Sequence, residues 1–150
     1  MAEDVIWALI LTSARARIMR GVQPKLTAQP PELVLRSEAR HFREAMPGIL
    51  KRATDGYGNR RPSVIKEAVA VLREDARDFV REVIAVLEAH RRAGDYTKLA
   101  IFAPADMLGL LWEELPTVLR GLVIVRVERD FMRLAPTELS DRLGRDFFGV

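Results

Sequence analysis

Residues 64–104 read VIKEAVAVLREDARDFVREVIAVLEAHRRAGDYTKLAIFAP, and the architecture follows from this stretch. Ile65, Ala68, Val69, Leu72, Ala76, Phe79, Val80, Val83, Ile84 and Leu87 recur at steps of three and four. On a helix of 3.6 residues per turn that spacing draws one wide apolar stripe. Arg73, Glu74, Arg77, Asp78, Arg81 and Glu82 fill the opposite, solvated face. Arg91 and Arg92 give a cationic last turn, and Gly94 stands where a helix ends in a left-handed residue. Leu99 to Ala103, closed by Pro104, is an apolar run without alternation, as in a strand buried on both faces. A long helix cannot bury such a stripe alone, so a sheet is expected beneath it.

Upstream, Val5 to Leu11 is continuous and β-rich and reads as a central strand. After the polar break Thr12-Ser13-Ala14, Arg15 to Arg20 alternates in part, which suits a strand with one wet face. Glu32 to Arg36 reads as a third strand, with Pro30-Pro31 excluding earlier pairing. Strands this close in sequence form an antiparallel meander. From about 37 to 61 the periodicity fades, and Pro47-Gly48 and Gly56-Tyr57-Gly58 are turn signals, so this segment reads as a basic loop. Ser63 is placed to cap the long helix.

Downstream, Pro104-Ala105-Asp106 opens a second helix carrying Met107, Leu108, Leu110, Leu111 and Leu115, which Pro116 ends or restarts. Leu122 to Val127 is a strand, and Pro136 to about Arg145 a last amphipathic helix. The order β-β-β-α-β-α-β-α, with right-handed crossovers after the meander, predicts a mixed five-stranded sheet in a three-layer α/β arrangement of ribonuclease-H-like type. One domain, 1–150, is expected, since 150 residues at 49% apolar content support one core.

No apolar run is long enough to span a bilayer, and Met-Ala-Glu-Asp does not read as a secretion signal, which points to the cytoplasm. The chain has no cysteine, so disulfides, thiolate catalysis and cysteine zinc sites are excluded. The net charge of +3 is uneven. Residues 1–61 hold 11 Lys+Arg against 6 Asp+Glu, a net +5; residues 62–150 hold 13 against 15, a net −2. A basic first part suits a polyanionic partner.

Several motifs together resemble one family. Ser13-Ala14-Arg15-Ala16-Arg17-Ile18 follows the first strand, and Arg77-Asp78-Phe79-Val80-Arg81-Glu82-Val83 leads to Ala93-Gly94-Asp95-Tyr96. Ala103-Pro104-Ala105-Asp106-Met107-Leu108-Gly109-Leu110-Leu111 and Leu134-Ala135-Pro136-Thr137-Glu138-Leu139 come later, in the same order. The set resembles the bacterial host-attachment proteins, those required for attachment to host cells. That resemblance implies a fold grouped with the middle domain of archaeal and eukaryotic peptide-release factors, and a ribosome-linked RNA partner. Thr12 stands where the family commonly has Asp, and Arg133 where it commonly has His.

The chemistry is sparse. A two-metal nuclease needs converging carboxylates, and the first strand has none, leaving Asp106 and Asp130 near the sheet edge. His41 and His90 are the only imidazoles, and neither has an evident Ser and acid partner. Gly56-Tyr57-Gly58-Asn59 is the nearest approach to a release-factor Gly-Gly-Gln loop, and carries the alternative of a release-factor-like hydrolase. The favoured reading is non-catalytic binding of RNA or the ribosome, with no cofactor and no metal. Its candidate residues are Arg15, Arg17, Arg40, Arg43, Lys51, Arg52, Arg60 and Arg61, with His41, Phe42 and Tyr57 interleaved for base stacking. A third reading is a protein-interaction module, including a homodimer, pairing through an exposed second-strand edge near Arg20.

Overall fold

The computed structural model describes residues 4–22, 31–55 and 61–147. Strands β1 (Ile6–Leu11), β2 (Arg15–Val22), β3 (Glu32–Arg36), β4 (Lys98–Ala103) and β5 (Val123–Glu128) form one sheet in the order β3-β2-β1-β4-β5. β1, β2 and β3 run antiparallel in turn; β4 is parallel to β1, and β5 to β4. The helices are α1 (Arg40–Asp55), α2 (Arg61–Arg92), α3 (Ala105–Glu114), α4 (Thr117–Arg120) and α5 (Pro136–Phe147).

The two central strands explain the layering. In β1, Trp7, Leu9 and Leu11 face one core while Ala8 and Ile10 face another, and all are buried. In β4, Leu99, Ile101 and Ala103 join the first core, Ala100 and Phe102 the second. Strands apolar on both faces need cover on both sides. α2, α3 and α4 cover the first face through Phe79, Val83, Leu87, Met107, Leu111 and Leu119. Phe131 and the Leu139 and Leu143 positions of α5 cover the second. α2 ends as its sequence promised. Gly94 has φ +77°, its amide bonds Arg91 O at 3.0 Å, and the Asp95 amide bonds His90 O at 3.0 Å. This is the doubly bonded left-handed stop.

Three expectations are corrected. The segment 37–61 is not a loop throughout, because Arg40–Asp55 is the helix α1, with Pro47 inside it. Ile49 is buried where α1 packs on α2, and that packing outweighs the Pro47-Gly48 turn signal. The edge of β2 near Arg20 is not exposed, because β3 pairs along it and the Arg20 amide bonds Pro31 O at 2.9 Å. The sheet covers only part of the α2 stripe. From Ala76 to Leu87 the stripe is in the core, but Ile65, Val69 and Leu72 are 62%, 47% and 48% exposed. The reason is length. At 32 residues α2 is about 48 Å long, while a six-residue strand spans about 20 Å. The first half of α2 therefore overhangs the carboxyl edge of β1 and β4, accompanied by α1.

Arg17 ties β2 to the far side of the sheet. It is 4% exposed. Its guanidinium pairs with Glu32 and donates to Met132 O at 3.1 Å, Leu134 O at 2.6 Å and Phe131 O at 3.4 Å. Those carbonyls belong to the connector between β5 and α5, and Phe131 O also accepts the Leu134 amide at 3.2 Å. Breaking such a buried pair is costly because one charge is left alone. Arg17→Met is expected to lower the unfolding free energy by about 3–5 kcal/mol, measured by urea denaturation. Adding Glu32→Leu should recover part of that loss, since the stranded carboxylate goes but Met132 O and Leu134 O still lose their guanidinium donor.

Candidate functional site

The carboxyl ends of the parallel strands β1 and β4 are where an open α/β sheet places its ligand crevice. Here they lead into two short segments. Thr12 organises the β1–β2 turn: its Oγ1 accepts from the Ala14 amide at 3.3 Å and the Arg15 amide at 3.1 Å. Pro104 leads directly into α3, whose first turn carries Asp106. The end of β3 joins the same edge, with the Ser37 amide bonded to Ala14 O at 2.9 Å.

Over this edge hangs the first half of α2. Between them lies an open groove of about 780 Å³. Its apolar walls are Val69, Leu72 and Ala76 of α2 with Met107 and Leu110 of α3; Ser13, Ser37, Asp106, Arg73 and Glu113 are polar members of its lining. Beside it is a polar hollow of about 310 Å³ that includes Arg40, Asp78 and Glu82.

α1 is docked to α2 by charge. Asp75 is 7% exposed, and its two carboxylate oxygens accept the His41 and Phe42 amides at 2.9 Å each. Those amides lie in the first turn of α1, where helical N–H groups lack partners. Asp75 therefore caps α1 from another helix. Ala39, just before α1, has φ +49°, a left-handed conformation that alanine adopts at a cost, and Ser37 Oγ accepts its amide at 3.1 Å. The His41 ring completes the clamp, with Nε2 at 2.8 Å from Asp78 and Nδ1 at 3.7 Å from Glu74. The Asp78 hydrogen bond is the main cause of a His41 pKa raised above 6.5; desolvation opposes it, and the Asp78, Glu74 and Asp75 charges reinforce it.

The predicted cations do not gather on one surface. Alternation along β2 puts Ala16 and Ile18 in the first core, and Arg15, Arg17 and Met19 on the opposite face. Arg17 is fully engaged within the fold, as described. Arg40, Arg43 and Lys51 are exposed on α1, in the other layer, and none pairs with an acid among the described residues. Arg52 pairs with Glu67 at 2.5 Å. Arg61 opens α2. Arg60 and the candidate loop Gly56, Tyr57, Gly58 and Asn59 lie outside the described residues.

His90 bonds Asp95 at 2.7 Å and packs on Trp7, with ring centroids 5.0 Å apart, at the other end of α2 from the groove. Among the described residues no group of three His, Asp or Glu is placed to hold a metal ion. What sequence reasoning missed was Asp75. It is the acid standing between the stripe residues Leu72 and Ala76, and an acid at the margin of an apolar stripe is the signal that could have found it.

Residues 7–143 match the family described as "Protein required for attachment to host cells". The chain belongs to this host-attachment family. A search of curated proteins returns no match. The match spans β1 to α5, and so includes both walls of the groove and the Asp75 clamp. No helix among the described residues is long and apolar enough to cross a membrane.

Two outcomes follow for this host-attachment protein. Asp75→Ala removes the cap and is expected to cost about 1–2 kcal/mol, read by chemical denaturation. His41 has a folded pKa raised above its unfolded value near 6.5. Its contribution is thus fully present below 6.5 and lost as pH rises through the folded pKa. The stability difference between the wild type and His41→Gln should shrink as pH is raised above 6.5. A difference that grew with pH would contradict the assignment.

Proposed function

We propose that this host-attachment protein is a non-catalytic binding protein that engages RNA, alone or within the translation machinery, through the outward stripe of α1. The observation that carries this reading is the placement of Arg40, Arg43 and Lys51. At about 100° per residue they fall within about 80° of one another on the helix surface. All three are exposed, and none is paired with a described acid. Glu44 shares the stripe, which leaves a net positive surface of modest strength. Arginines and a lysine so placed attract phosphates without reading sequence.

The fold gives analogical support. A β3-β2-β1-β4-β5 sheet with an antiparallel meander and two parallel strands fits the ribonuclease-H-like arrangement, and with it the kinship to release-factor middle domains. On this reading the chain works as one unit in the cytoplasm, and its role in attachment runs through translation.

Filter binding to ribosomal RNA across a salt series tests it. Wild-type protein should bind at low salt. Replacing Arg40, Arg43 and Lys51 together by Gln should weaken binding and flatten the log–log salt slope by about 2 to 3. Arg52→Gln should have a smaller effect, since Glu67 already neutralises that charge. No wild-type binding at low salt, or an unchanged slope in the triple variant, would sink the reading.

A further inference from the structure

The face of α2 that packs on the sheet does not stop where the sheet stops. Ile65, Val69 and Leu72 continue the line of Ala76, Phe79, Val80 and Val83 along the helix, yet they are about half exposed. α1 does not cover them. It packs on the neighbouring flank, where Val64 and Asp75 are buried. The pairs Arg52–Glu67 and His41–Asp78 mark the outer side of the α1–α2 hairpin. Leu50 lies about 160° round α1 from Arg52 by helical spacing, on the side of Ile65, and is 51% exposed. The hairpin therefore presents Leu50, Ile65, Val69 and Leu72 as one uncovered apolar face, continuous with the groove.

We propose that a second copy of this chain covers that face. The two α2 overhangs would cross antiparallel about Val69, and the two α1–α2 hairpins would close a four-helix bundle. The face is self-complementary. Around Val69, Ile65 lies four residues before and Leu72 three after, so a two-fold axis there sets each against the other. Paired helical hairpins are an ordinary route to a four-helix bundle.

The charges select this occupant. Lys66 and Arg73 border the stripe, and Asp106 and Glu113 stand on the α3 side of the groove; all four are exposed, and none is in an ion pair with a described residue. Antiparallel crossing carries Lys66 of one copy to the level of Leu72 of the other, beside the wall that holds those acids. The acids also offset the approach of Lys66 to Arg73 of the opposite copy. By the same spacing Arg40 and Lys51 stand about 80° and about 100° round α1 from Leu50, whereas Arg43 is only about 20° from it. The dimer is therefore read by mass and cross-linking, not by RNA affinity, so that the two proposals are tested separately.

Light scattering during size exclusion at micromolar concentrations should give twice the chain's mass. Leu72→Asp, at an already exposed position, should keep the wild-type circular dichroism and raise the dimer dissociation constant about a hundredfold. Asp106→Asn with Glu113→Gln should weaken the dimer less. The chain has no cysteine, so Val69→Cys carries the only thiol; on mild oxidation it should cross-link as a dimer, whereas Val118→Cys, also exposed, should not. A monomer at every concentration would overturn the proposal. So would a dimer untouched by Leu72→Asp, or one that cross-links no better through residue 69 than through 118. An apolar face taken by a different protein would show as the monomer outcome.

Discussion

The fold is governed by a mismatch of lengths. A helix of about 48 Å lies on strands of about 20 Å. The sheet can bury only the half of α2 from Ala76 to Leu87. The rest must be held in another way, and α1 serves that purpose. The overhang in turn roofs the carboxyl edge of β1 and β4 and forms the groove. A shorter α2 would leave an open sheet edge with no cavity and would leave α1 nothing to pack on.

Two interior charges connect layers that hydrophobic burial alone would leave loosely oriented. Arg17 reaches from β2 to three carbonyls of the β5–α5 connector. Asp75 reaches from α2 to two amides of α1. In each case a side chain satisfies backbone groups of an element distant in sequence. Apolar contacts are non-directional, so these directional bonds fix where the connector and α1 sit.

Much of the scaffold was legible because its residues obey simple periods. β1 and β4 are unbroken apolar runs, α2 shows a clean stripe, and Gly94 marks its end. Pro104 and Pro116 bracket α3 as read. α1 was not legible, because Pro47-Gly48 speaks for a turn and the helix is held by a cap 34 residues away. The candidate site was read least well. Charge alone grouped Arg15 and Arg17 with the α1 arginines, and only the three-dimensional alternation of β2 shows that they occupy the opposite layer. Arg17 in particular has the composition of a ligand-binding residue and the surroundings of a structural one.

The trans cap also bears on the order in which the chain becomes ordered. The His41 and Phe42 amides in the first turn of α1 find their acceptors on Asp75, so the start of α1 is not capped until α2 is in place. Its contacts are concentrated on α2, while the strands are joined to one another. α1 therefore forms a dependent unit that can open while the sheet stays intact, in the manner of a low-stability foldon. Amide exchange along residues 40–55 would then run faster than in β1 and β4. Through such openings Val64 and Ile49 would be transiently bared without unfolding of the core.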